Sequence, residues 1–279
     1  MEIDPLFDLT GKTAVVTGAG GVLCSEISAV LAARGVSVAL LGRTLKNVQR
    51  VADEIGQSGG SARAYACDVL DEDQLTSTRE QINSDLGSCD ILINGAGGNN
   101  PKATTESPNF QEGNSDIRTF FNIPKSAFQQ TFDLNLIGTL LPIKIFGQDM
   151  VKKKYSTVIN ISSMSAINPL TKVPAYSAAK AAVNNLTQWL AVHFAPVNMR
   201  VNALAPGFFL TAQNKSLLTT EKGDLTARAE QIIDHTPMRR FGQPSDLSGT
   251  VVWLCSDASK FVTGVVVPID GGFSAFGGV

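Results

Sequence analysis

Residues 12–35, KTAVVTGAGGVLCSEISAVLAARG, decide how this chain folds. KTAVVT is a short apolar, β-branched run, which reads as a buried strand. LCSEISAVLAARG repeats its apolar residues at helical spacing. Between them TGAGGVLC, residues 17–24, is a glycine-rich turn at a helix N-terminus. Such a turn lets backbone N–H groups approach a pyrophosphate, and the helix dipole favours the negative charge. Taken alone, it could also be an ordinary tight strand-to-helix turn.

Working outward, the same alternation recurs. VSVALL at 36–41, ARAYAC at 62–67, DILIN at 90–94, TVINIS at 157–162, RVNAL at 200–204 and GVVVPI at 264–269 read as strands. Helical patterns such as LKNVQRVADEI and DEDQLTSTREQINSDL separate them. Strands alternating with helices imply βαβ units. The expected fold is α/β: a Rossmann-type, doubly wound parallel sheet of about seven strands with helices on both faces. No linker or repeat divides the chain, so one domain over 1–279 is expected.

With 43% hydrophobic and 17% charged residues, the chain can bury a full core. A net charge of −2 makes no electrostatic case for nucleic acid or an anionic membrane surface. The start, MEIDPLFDLTGK, lacks the pattern of a signal peptide, and the most apolar run, LNLIGTLLPIKIFG, is interrupted by Lys144. Cys24, Cys67, Cys89 and Cys255 form no CxxC pair, so a reduced, cytoplasmic protein is the simplest expectation. His193 and His235 have no Cys or carboxylate at ligand spacing, so neither a metal site nor a histidine-based triad is expected.

Several residues fall where open α/β sheets bind ligands. The second strand ends in Gly42 and Arg43 with no acid. An arginine here would pair with a ribose 2′-phosphate, whereas a carboxylate would bond the free 2′-hydroxyl. NADP(H) is therefore favoured, with NAD(H) as the alternative; Arg43 could equally be solvated at a helix start. Asp68 is placed either to accept from an adenine amino group or to cap the following helix. Asn94–Gly97, NGAG, closes the fourth strand with two glycines, as a second cofactor wall or a plain turn. The loop at about 98–125 is long and polar, so it is either functional or a surface excursion. Its Asn99, Asn100, Lys102 and Arg118 suit hydroxyls and a carboxylate. AFQQTFDLNLIGTLLPIKIF at 127–146 reads as a helix, in which Asn135 lies among apolar neighbours and needs partners. Tyr176 and Lys180, four apart in AYSAAKAAVNNLTQWLAVHF, share a helix face beyond Ser163.

Together, TG-x3-V-x-C, Asp68, NGAG, Asn135, Ser163, Tyr176-x3-Lys180 and Pro206-Gly207 with Thr211 closely resemble the short-chain dehydrogenase/reductase superfamily, in that order over nearly the whole chain. The resemblance implies catalytic Asn135, Ser163, Tyr176 and Lys180. It implies cofactor contacts from Gly18, Gly20, Gly21, Leu23, Arg43, Asp68, Val69, Asn94, Ala96, Gly97, Tyr176, Lys180, Pro206, Gly207, Phe209 and Thr211. One departure stands out: Val22 and Cys24 occupy the second and third glycine positions of the superfamily's TGxxxGxG turn. Within the superfamily, GAGGVLC, INGAGGNNPKATT, PGFFLTAQN and DGGFSAFGGV look like the D-mannonate oxidoreductases, or fructuronate reductases. Gluconate 5-dehydrogenases share most of these segments, and a 3-oxoacyl reductase is a further alternative. A dinucleotide-sensing regulatory protein is the non-enzyme reading.

The implied chemistry is hydride transfer between NAD(P)H and the ketone of a sugar acid. Tyr176 would act as general acid or base, its pKa lowered by Lys180 and by oxidised nicotinamide. Ser163 would polarise the carbonyl, and Asn135 would hold a water linking Lys180 to solvent. Ser163, Tyr176, Asn99, Asn100 and Lys102, with Gln213 and Asn214 closing from the opposite side, would contact the substrate. Family resemblance also implies a homotetramer.

Overall fold

The computed structural model describes residues 4–113, 116–210, 218–219 and 224–278. Seven strands, β1 (Thr13–Thr17), β2 (Ser37–Gly42), β3 (Ser61–Ala66), β4 (Ile91–Asn94), β5 (Ser156–Ile161), β6 (Met199–Pro206) and β7 (Val266–Ile269), form one sheet in the order β3-β2-β1-β4-β5-β6-β7. Every pairing is parallel, with registers such as Val15 beside Ala39 and Leu92. The expected sheet is thus observed, with strand ends shifted by at most about two residues.

The described helices are α1 (Val22–Ala32), α2 (Leu45–Gln57), α3 (Glu72–Asp85), α4 (Lys125–Phe132), α5 (Gly138–Met150), α6 (Pro174–Phe194), α7 (Ala227–Asp234) and α8 (Ser248–Cys255). They cover both faces, which explains why β1 is buried at every position. Ala14 and Val16 join Ile27 and Leu31 of α1, Val51 of α2 and Val251 of α8 in one core. Val15, pointing the other way, joins Leu75 of α3, Phe146 of α5 and Leu190 of α6 in a second. The period-2 pleat therefore feeds two cores from one strand.

The chain moves outward from β1 to β3, then returns to place β4 on the other side of β1. At that reversal the connections after β1 and β4 leave in opposite directions and open a crevice beyond the strands' carboxyl ends. TGAGGVLC and NGAG lie at this point. The helical run read across 127–146 is divided: between α4 and α5, Asp133–Ile137 is a π-helical turn. Among the described residues no helix is long and apolar enough to cross a membrane.

Candidate active site

The turn after β1 and the turn after β4 are locked backbone to backbone. The Thr17 hydroxyl accepts from the Gly95 and Ala96 N–H groups at 3.1 and 3.2 Å. Gly18, at φ 65°, lies so close that an added Cβ would come within 2.8 Å of the Ala96 nitrogen. Only glycine satisfies both the left-handed backbone and the contact. Gly21 caps α1 without a side chain, so the N–H groups of the first turn remain directed beyond the helix end.

β5 runs directly into Ser163, whose hydroxyl accepts from the backbone N–H and the hydroxyl of Ser165 at 3.2 and 3.0 Å. Both lone pairs of Ser163 are thereby engaged, and its own proton is left to donate. Pro174 starts α6, as its fixed φ allows, and places Tyr176 and Lys180 on successive turns. The Lys180 ammonium lies 5.8 Å from the Tyr176 ring centroid. It donates to the Ile161 carbonyl at 2.7 Å and is only 4% exposed.

Burial governs the electrostatics here. Desolvation pushes the Tyr176 phenol above its usual value, opposed by a hydrogen bond with Ser163. Desolvation lowers Lys180 to about 8, with the neighbouring Cys24 acting weakly in the other direction. The sequence expectation, a phenol lowered by Lys180 together with oxidised nicotinamide, belongs to the cofactor-bound site; the protein alone sets both groups by desolvation.

Asn135 is fully buried in the π turn. Its Nδ2 donates to the Gly98 and Thr131 carbonyls at 2.7 and 2.8 Å, and its Oδ1 accepts from the Gly98 N–H at 3.1 Å. By occupying the carbonyl four residues back, the side chain competes with the α-helical ladder at the point where the helix widens. It clamps Gly98 in place. The Asn135 carbonyl accepts from Thr139 Oγ1 at 2.8 Å and retains a second lone pair.

These groups meet in one cavity of about 420 Å³, lined among others by Gly18, Gly21, Leu23, Ala96, Gly97, Ser163, Tyr176, Lys180, Pro206, Gly207 and Phe209. Asp68 and Arg43 stand apart, toward the β2–β3 side. Asp68 does not cap α3; Asp71 does, accepting from the Asp73 and Gln74 N–H groups. Arg43 is exposed, with no hydrogen bond or ion pair among the described residues. Gly20 packs on Asn47, Val69 lies under Gly138, and Asn94 donates to Asn160. Of the substrate candidates, Asn99 is exposed. The Asn100 side chain caps Lys102 and donates to Gln130. Lys102 lines a separate open cleft with Arg118, whose Nε donates to the Thr104 carbonyl. Thr211, Gln213 and Asn214 lie outside the described residues. Sequence reading missed Ser165 and the Thr17 hydroxyl; the Ser-x-Ser spacing after β5 was the available signal for the former.

Comparison with known proteins agrees with this geometry. The family described as enoyl-(acyl carrier protein) reductase matches residues 19–274. An oxidoreductase of Bacillus subtilis, itself uncharacterised, is 50% identical over 98% of each chain. The chain belongs to the short-chain dehydrogenase/reductase superfamily. Among solved structures, this dehydrogenase/reductase is similar to a Haemophilus influenzae protein described as a D-mannonate oxidoreductase with bound NAD, at TM-score 0.94 and 50% identity over 98% of each chain. It is also similar to a 7α-hydroxysteroid dehydrogenase complexed with NADH and 7-oxo glycochenodeoxycholic acid, at TM-score 0.84 and 33% identity over 98% of each chain. The short-chain dehydrogenase/reductase fold thus accounts for both glycine turns and for the Ser163, Tyr176 and Lys180 cluster.

Proposed function

We propose that this chain interconverts the ketone and alcohol of a sugar acid, D-fructuronate and D-mannonate, using a nicotinamide dinucleotide. The observation that carries the reading is the convergence of Ser163, Tyr176 and Lys180 on a cavity walled by two glycine turns. The residues suit the cofactor. Free N–H groups at the α1 terminus would meet a pyrophosphate, and Gly97 and Gly207 leave backbone, not side chains, along the wall. The bound dinucleotide supplies the hydride donor and acceptor.

The chain's own residues manage the proton. Tyr176 donates to the carbonyl oxygen in reduction and accepts in oxidation, while Ser163 donates a hydrogen bond that holds the oxygen. Lys180 places positive charge beside the phenol, and Asn135 fixes the Gly97–Gly98 turn against it. Substrate identity is supported by the 50% identical neighbour whose description proposes a D-mannonate oxidoreductase. Asn99, at the exposed end of the β4 turn, and Gln213 are the proposed hydroxyl contacts. Arg43 without a neighbouring acid supports NADP(H), and the neighbour's bound NAD supports NAD(H); we propose that both are accepted.

The test is oxidation of NADH and NADPH followed optically with D-fructuronate, 5-keto-D-gluconate and a 3-oxoacyl thioester. Turnover is expected with D-fructuronate; preference for either other substrate overturns the assignment. Tyr176→Phe is expected to lower turnover about 10²- to 10⁴-fold while leaving cofactor affinity nearly unchanged. With the phenol raised by burial, wild-type oxidation should climb with pH above neutrality. A Tyr176→Phe variant turning over at wild-type rate would remove the acid/base role.

A further inference from the structure

In dinucleotide-binding turns the last glycine of the fingerprint allows close packing of helix on strand. Here that position is Cys24, with a side chain that is 5% exposed and belongs to the core beneath the cofactor cavity. Room for it comes from across the joint. A Cβ built on Gly95 would overlap the Cys24 sulfur outright, and would also sit 3.0 Å from the Thr17 carbonyl oxygen. The Cys24 Cβ itself would be 3.6 Å from that added atom, an ordinary contact. Of the Cys24 atoms only the sulfur conflicts with a side chain at residue 95, and the Thr17 carbonyl oxygen adds a lesser, tight contact. Buried in the first turn of α1, that sulfur has few other rotamers to adopt.

We infer that Cys24 and Gly95 form a coupled positioning pair. The space that a fingerprint glycine would leave on α1 is left on the β4 turn, and the sulfur fills it. The pair holds the two backbone walls of the dinucleotide cavity at their observed separation. Gly95 and Ala96 donate to Thr17, Gly18 rests on the Gly95–Ala96 backbone, and Gly97 lies against Asn135 and Lys180. A change at residue 95 therefore propagates to both glycine walls and to the catalytic lysine. The larger part of the demand for glycine at residue 95 comes from the γ sulfur of residue 24, and the smaller part from the Thr17 carbonyl. This rests on reading the cavity as a dinucleotide site, but the coupling itself is a property of the protein without cofactor.

The test is a double-mutant cycle with Cys24→Ala, Gly95→Ala and the combined variant, read by Tm without cofactor and by NADH Kd at a temperature where each variant is folded. Gly95→Ala is expected to lower Tm by about 5 °C or more and to weaken NADH about tenfold. Cys24→Ala alone should lower Tm by about 2–4 °C, for a lost buried sulfur. In the combined variant, Tm and Kd should return close to the Cys24→Ala values, short of full recovery because the Thr17 carbonyl remains tight. If Gly95→Ala does not accumulate as folded protein, recovery of folded protein by adding Cys24→Ala supports the pair equally. A combined variant no better than Gly95→Ala, or a Gly95→Ala protein with wild-type Tm and Kd, overturns it. A loss of Tm without any change in Kd would leave a packing contact and remove the positioning role. Absence of NADH and NADPH binding in the wild type would instead defeat the proposed function, leaving the Tm cycle to judge the pair.

Discussion

Burial of Lys180 lowers its pKa to about 8 from an ordinary 10.5, so the site holds a charge that the fold would rather neutralise. Between those values the unfolded chain binds more protons than the folded one, and stability rises with pH. Below about pH 8 the penalty is present in full, about 3 kcal/mol from the size of the shift. Lys180→Met is accordingly expected to be at least as stable as wild type at pH 7 while losing turnover. Its Tm should lack the wild type's rise between about pH 8 and 10.5. Chemical denaturation at several pH values checks this; a clear destabilisation at pH 7 would show the Ile161 hydrogen bond to outweigh desolvation. Tyr176 and Lys180 were legible in sequence from their i,i+4 spacing beyond Ser163. The direction of their pKa shifts was not, because desolvation depends on what the rest of the chain stacks over them.

Among the elements, α3 and α5 are joined by a partly buried polar cluster. Arg79 donates to both Asp149 oxygens at 2.6 and 3.1 Å, and Asn83 adds a third bond at 3.0 Å. Burial alone would raise the Asp149 carboxyl, but its bonds from Arg79, Asn83 and Lys152 hold it below the ordinary 3.8. A depressed acid contributes stability above its unfolded pKa and loses it as pH falls. Asp149→Asn is expected to cost about 1–2 kcal/mol at pH 7, with the gap to wild type closing below pH 3.8. Urea unfolding at pH 7 and pH 3 reads both values, and an equal gap at the two would contradict the charge assignment. The same scale shows where pattern reading stops. The apolar period across 127–146 announced helix but not the π turn within it, which involves Asn135 reaching back to Thr131. Likewise the sequence offered Asp68 as a possible cap, and the chain's entry into α3 gives that role to Asp71.

Across the whole molecule, the cavity draws on turns after β1, β4, β5 and β6, which lie on both sides of the point where the strand order reverses. A ligand there ties together segments distant in sequence, and it should stabilise the native state alone. NADH at about 100 times its Kd is expected to add about 2.7 kcal/mol, raising Tm by roughly 5–10 °C. Differential scanning fluorimetry over a cofactor series checks the dependence, and a Tm insensitive to saturating NADH and NADPH would refute dinucleotide binding. The sequence by itself determined the seven strands and their alternation with helices, which follow from local periodicity, and the shared helix face of Tyr176 and Lys180, which follows from spacing within one element. Only the tertiary structure decided that Asn135 clamps Gly98, that Lys102 faces a cleft apart from Tyr176 and that Gly95 makes room for Cys24. Those are contacts between distant segments, and their distances are set by how the two cores pack against the sheet.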